Sequence, residues 1–135
     1  RKDEPEVDAH GHAKIQPMAQ VAGMAVSAGR DPRGLPVQAG DLEVVGRVKE
    51  MWIDVPEQLV RYLEIDLNNG SSRLIPMTMA KIWADRVRVN ALTSDLLDAI
   101  PATRNLTSVT KLEEEKISAY VASGWMYAKG RKRGF

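Results

Sequence analysis

Between Leu42 and Val55 apolar residues alternate with polar ones, first on one parity (Leu42, Val44, Val48) and then on the other (Met51, Ile53, Val55). Side chains of a strand alternate faces, so a change of parity within one run needs an extra residue and predicts a bulge or bend near Glu50. Such a bend suits a sheet that curls toward closure. Leu63, Ile65 and Leu67 then alternate with Glu64 and Asp66, Asn68-Asn69-Gly70 tolerates positive φ, and Arg73 to Met77 returns, which predicts a hairpin. Lys81 to Trp83, a turn at Ala84-Asp85, and Val87 and Val89 between Arg86, Arg88 and Asn90 predict a further strand pair at the spacing of small barrels.

Two helices should follow the strands. Ser94 is placed to cap a short one running to Ile100, which Pro101 ends, and Thr110-Lys111-Leu112-Glu113 has the form of a capping box for a longer one. In that second helix Leu112, Ile117, Tyr120, Val121 and Gly124 recur at helical spacing, so this stripe should face the barrel while Glu113 to Lys116 face water. The tail from Lys129 to Arg133 is basic and should fray, with an anionic lipid surface as one role open to it. At the other end, residues 1–30 read as a polar arm, and Asp31-Pro32-Arg33-Gly34-Leu35-Pro36 is turn chemistry that marks a boundary. The expected architecture is mainly β with short helices: a small antiparallel β-barrel over residues 31–107, preceded by an extended arm over 1–30 and followed by a C-terminal helix and basic tail over 108–135.

A length of 135 residues with 44% hydrophobic and 27% charged residues fits one soluble domain with an ordinary core. The net charge of +1, with Lys and Arg spread among acids, offers no broad cationic face for nucleic acid. No cysteine is present, which removes disulfides, thiolate metal sites and cysteine catalysis. No stretch reaches the ~18 apolar residues of a membrane span, and Asp3 and Glu4 follow Arg1-Lys2 where a signal peptide would turn apolar. A chain that opens on Arg1 without a Met reads as a piece of a longer protein, whose preceding residues, a membrane anchor included, are invisible to this reading. A Gly-rich phosphate loop, a G-x-S-x-G elbow, an H-E-x-x-H motif and a third histidine are all missing, so enzyme chemistry is not expected.

Two groups of residues carry chemistry. Asp8, His10 and His12 occupy every second position of five and include both histidines of the chain. In an extended segment they would project together with Cα atoms ~6.5 Å apart, and Lys14 would continue that face. Imidazole changes charge near neutrality, so the trio could collect and pass protons or share a divalent cation at the surface; the same residues also fit a solvated polar arm. The second group is Asp54, Glu57 and Arg61, around Pro56, where two carboxylates and a guanidinium should meet within one loop. Like charges held together push one proton affinity up while the guanidinium pulls it down, so the loop could respond to a nearby charge; a plain surface salt bridge on a hairpin is the other reading.

Several motifs agree with one known family. Asp8-Ala9-His10-Gly11-His12-Ala13-Lys14-Ile15, Val26-Ser27-Ala28-Gly29, Gly34-Leu35-Pro36-Val37, Trp52-Ile53-Asp54-Val55-Pro56-Glu57-Gln58, Arg73-Leu74-Ile75-Pro76-Met77, Val89-Asn90-Ala91-Leu92 and Leu112-Glu113-Glu114-Glu115-Lys116 closely resemble the cytoplasmic part of the H subunit of the purple-bacterial photosynthetic reaction centre. The likeness runs in order from about Asp3 to Ala128. It implies a PRC-type barrel capping the L and M subunits on the cytoplasmic face of the bacterial inner, intracytoplasmic photosynthetic membrane. A cytochrome subunit and light-harvesting antenna are further partners it admits. Bacteriochlorophyll, bacteriopheophytin, quinones and non-haem iron would belong to the partner subunits, and this chain would bind no redox cofactor and would not be an enzyme. The residues matching Asp8, His10 and His12 would take up protons bound for the secondary quinone, and an inhibitory zinc or cadmium ion could sit on them. Those matching Asp54, Glu57 and Arg61 would lie deeper on the same path, and Lys14 would act electrostatically. The membrane helix and linker of that family are missing here, and the residues after Lys129 match less clearly. A freestanding PRC-barrel adaptor, including an RNA-processing accessory, would share the fold, and a metal-dependent hydrolase on Asp8, His10 and His12 would need another ligand.

Overall fold

A computed structural model describes residues 1–23 and 31–134, with side chains described for 1–23 and 31–124. Val26 to Gly29, one of the family-like motifs, lies outside the described residues. Seven strands form one sheet: β1 (Ile15–Pro17), β2 (Pro36–Ala39), β3 (Val44–Asp54), β4 (Leu59–Leu67), β5 (Ser72–Pro76), β6 (Lys81–Ile82) and β7 (Val87–Val89). A single long helix, α1 (Lys111–Gly134), follows a 3-10 turn at Ser94–Ala99.

The strand path runs β5-β4-β3-β2-β7-β6, with β1 added to β3. The fold is mainly β, as the alternation predicted, but the sheet is mixed: β2 and β7 run parallel, while the other pairs are antiparallel. Its two ends, β5 and β6, are not paired with each other, so it is a curled half-barrel and not a closed one. β3 is the spine. β4 pairs along its length, whereas its other edge is shared by β2 near Gly46 and β1 near Ile53.

The bulge expected near Glu50 is present as a register shift between Val48 and Glu50, with a second between Trp52 and Ile53. Beyond it Met51, Trp52, Ile53 and Asp54 are all buried, so both faces of this end are covered. The start of the run differs from the pattern. Leu42 and Val44 are exposed and Val45 is buried, because the β2–β3 register shifts between Gly46 and Val44 and this bulge changes the face. At Gly46 the backbone of Asp66 lies where a Cβ would stand, so only glycine permits this approach of β3 and β4. The β4–β5 hairpin turns at Asn68-Asn69-Gly70 as expected, with Gly70 at a φ of 91°.

The capping box forms: Thr110 N–H donates to Glu113 Oε1 at 2.9 Å, and Glu113 N–H donates to Thr110 Oγ1 at 3.0 Å. Ile117 and Val121 of α1 are fully buried, each worth about 1.5–3 kcal/mol relative to exposure. Gly124 lets the helix approach Leu92, and Tyr120 Oη donates to the Leu96 carbonyl at 2.7 Å. Ser94 does not cap the shorter turn; Thr93 stands at the cap position, and Ser94 Oγ donates to Asp41 instead at 2.6 Å. The tail expected to fray continues as backbone helix to Gly134. Among the described residues no helix is long and apolar enough to cross a membrane.

Candidate functional site

The N-terminal arm is tied down at both ends. The carbonyls of Lys2 and Glu4 accept from Leu112 and Lys111 N–H at 2.7 and 3.0 Å, which satisfies two of the free donors at the start of α1. At its far end β1 sets Ile15 opposite Asp54, and Val55 N–H donates to the Lys14 carbonyl at 2.8 Å. The segment between must therefore cross the seam between the helix and the tip of the β3–β4 hairpin.

Asp8, His10 and His12 are not extended. Val7 bridges to Ala13, and the intervening residues turn back on themselves, with Gly11 at a φ of 81°. Asp8 Oδ1 accepts from the backbone N–H of His10 at 2.8 Å and of His12 at 3.0 Å, the local bonding that lets aspartate replace a strand by a turn. The trio is thus assembled by a loop, which corrects the alternating-face expectation. The imidazole centroids are 6.4 Å apart, and His12 Nδ1 lies 3.7 Å from Asp8 Oδ2. The N–H donors, that of His12 foremost, hold the Asp8 carboxyl below its ordinary value, so it stays an anion beside two exposed imidazoles. Among the described residues no three His, Cys, Asp or Glu side chains converge as metal ligands, and Asp8 has one oxygen already committed to the turn.

Asp54 is buried at the end of β3. Its Oδ2 accepts from Nε and Nη2 of Arg61 on β4, both at 3.2 Å, and its Oδ1 accepts from the backbone N–H of Glu57 at 3.1 Å. The loop joins Asp54 and Arg61 as the sequence suggested, but not the two carboxylates as a pair: the Glu57 side chain is exposed, and only its backbone touches Asp54. Lys14 lies between the two groups. Its Nζ donates to Glu6 Oε1 at 2.9 Å, and this bond, then the charge of Glu6, and further the carboxylates of Asp54 and Glu57, raise its proton affinity.

One member was missed by sequence reasoning. Glu114 stands in the stripe expected to face water, yet it is half-buried and accepts from Tyr62 Oη at 2.7 Å. Burial raises the Glu114 carboxyl above its usual range, the carboxylates of Glu6 and Asp54 add to this, and Tyr62 and Arg61 oppose it. Burial likewise pushes the Tyr62 hydroxyl up. The alternation of the hairpin puts Tyr62 on the polar parity with Glu64 and Asp66, so no sequence signal points to its burial or to a partner 52 residues away. Glu6 and Glu114 therefore link the arm, the hairpin and the helix into one ionisable seam.

Fold and seam together define a small curled-sheet protein whose titratable groups run from an exposed imidazole turn to a half-buried carboxyl. The chain belongs to the PRC-barrel family: the profile of the PRC-barrel domain matches residues 24–96, more than half of its length. Asp54, Glu57, Arg61 and Tyr62 lie inside that match, whereas the arm with Asp8, His10 and His12 and the helix with Glu114 lie outside it.

Proposed function

We propose that this PRC-barrel chain is the cytoplasmic part of a reaction-centre H subunit, a cofactor-free and non-catalytic cap on the L and M subunits that supports proton delivery to their secondary quinone. The observation that carries the proposal is the β1–β3 pairing, which brings the imidazole turn and the Asp54–Arg61 pair onto one seam. The motif resemblance supplies the partners and the location at the cytoplasmic face of the photosynthetic membrane. Protons reach the exposed imidazoles of His10 and His12 from solvent, with the Asp8 carboxylate 3.7 Å from His12 Nδ1. Glu6, Lys14, Asp54 and Glu114 form the charged bed beyond, and when negative charge grows on a quinone across the interface, a half-buried carboxyl of raised proton affinity is suited to take up a proton in response. The remaining transfer runs through water and the carboxylates of the partner subunits.

The test replaces His10 and His12 together with Ala in the assembled pigment complex. Flash-induced proton uptake and second electron transfer should slow, most visibly at high pH where free protons are scarce; unchanged rates across the pH range would remove the assignment. Glu57→Gln should also slow quinol formation. A freestanding PRC-barrel adaptor fits the family equally at the level of fold, and purification without pigmented partners from the native membrane would favour it.

A further inference from the structure

Among the described residues, the buried side-chain polar atoms without a hydrogen-bond partner are Gln38 Oε1, Arg86 Nε and Arg88 Nε, all on or beside the neighbouring strands β2 and β7. Gln38 is in register with Arg88, and Lys81 of β6 lies directly opposite Arg88. Like charges placed opposite one another destabilise a strand pair. Of the described residues, no carboxylate comes within salt-bridge distance of Lys81 or Arg88, and Arg86 is paired only with its neighbour Asp85 at 3.1 Å. Trp83 holds the arrangement in place: the Arg86 guanidinium lies 4.0 Å and that of Arg88 5.5 Å from its ring centre. Stacking on the ring restricts where the two guanidinium groups stand and so fixes their charge on this face. Beside these cations is a cleft of ≈ 230 Å³ lined by apolar Met79, Ala80 and Ala91 together with Lys81, Arg88 and Asn90.

We propose that the outer face of the β6–β7 hairpin docks an acidic segment of a partner protein, with a carboxylate between Lys81 and Arg88 and a neighbouring apolar side chain in the cleft. Lys81 and Arg88 stand opposite one another beside the cleft with no carboxylate of the described residues between them, and an acidic side chain bound there would offset their repulsion. Magnitudes select a peptide. An anionic membrane calls for clusters of about 4–8 cations and a nucleic acid for about 6–10 phosphate contacts, whereas this hairpin offers Lys81, Arg86 and Arg88. The cleft is also below the ~300–1,000 Å³ of small-molecule sites and suits one side chain. This docking face is independent of the proton-handling seam, whose residues lie on other strands and on the helix.

The full chain, labelled with nitrogen-15, should be titrated with an acetylated and amidated peptide of sequence Ser-Leu-Ser-Glu-Ser-Glu and with its Gln-for-Glu counterpart. Saturable shifts of the Trp83 indole and Gln38 amide signals are expected with the acidic peptide, at about tenfold tighter binding than with the Gln peptide. Lys81→Gln, at an exposed position, should weaken the acidic peptide by about tenfold while leaving the melting temperature the same or slightly higher, since it relieves the repulsion with Arg88. Equal binding of both peptides, shifts confined to other residues, or competition won by phosphatidylglycerol vesicles or oligouridylate with no peptide binding would each overturn the proposal.

Discussion

Lys14 and Val55 are joined by a backbone hydrogen bond of 2.8 Å from the Val55 N–H to the Lys14 carbonyl, and this bond holds the arm against the acid-bearing hairpin. Together with the β1–β3 pairing it sets Lys14, and with it Glu6, beside Asp54. Because β1 is only three residues long, the arm depends on such single contacts at each end.

Arg61→Ala should destabilise the domain by ~1–3 kcal/mol, the cost of leaving Oδ2 of the buried Asp54 carboxylate without its guanidinium donors. Arg61→Lys restores a charge but not the two-pronged contact, and should recover part of the loss. Urea denaturation at pH 7 of both variants checks the order.

Thr110→Ala removes the acceptor for the Glu113 N–H and should cost about 1 kcal/mol. The loss should appear in thermal denaturation and as faster amide exchange in the first turn of α1. Equal exchange there would mean that the carbonyls of Lys2 and Glu4 suffice to hold the helix start.

Glu114 has a folded-state proton affinity raised above the ordinary carboxyl value of 4.5, so the native protein binds more protons than the unfolded chain in the range above that value. Its contribution to stability is therefore full at low pH and lost as pH rises through the folded value. The charges of Glu6, Asp54 and Arg61 and the hydroxyl of Tyr62 face it. Glu114→Gln keeps an acceptor for the Tyr62 hydroxyl and removes the buried charge; stability measured from pH 4 to 8 should fall less steeply in the variant than in the parent chain.

Asp8→Ala should free the turn at residues 8–12 without melting the barrel, since Asp8 bonds only to the backbone of His10 and His12. Amide exchange at these two histidines should quicken while the global melting temperature stays constant. The parent should show the same loosening as pH falls through the depressed Asp8 value, because a lowered carboxyl contributes order that is lost on protonation.

Gly46→Ala should be severely destabilising, by ~2 kcal/mol or more, because its Cβ would enter the backbone of Asp66. A soluble, cooperatively unfolding variant with the parent midpoint would disprove the close approach.

Local chemistry was legible in the order of residues wherever the partners lie within a turn or a hairpin. The bulge near Glu50, the Asn68-Asn69-Gly70 turn and the Thr110–Glu113 box each depend on neighbours along the chain, and each forms as read. The turn at Asp8 was misread because alternation alone does not reveal that a short carboxylate bonds its own following N–H groups. The parallel β2–β7 pair and the burial of Glu114 against Tyr62 were decided by tertiary structure. Each joins segments whose pairing is set by how the curled sheet and the helix cover one another, and hydrophobic period records which face is covered but not by what.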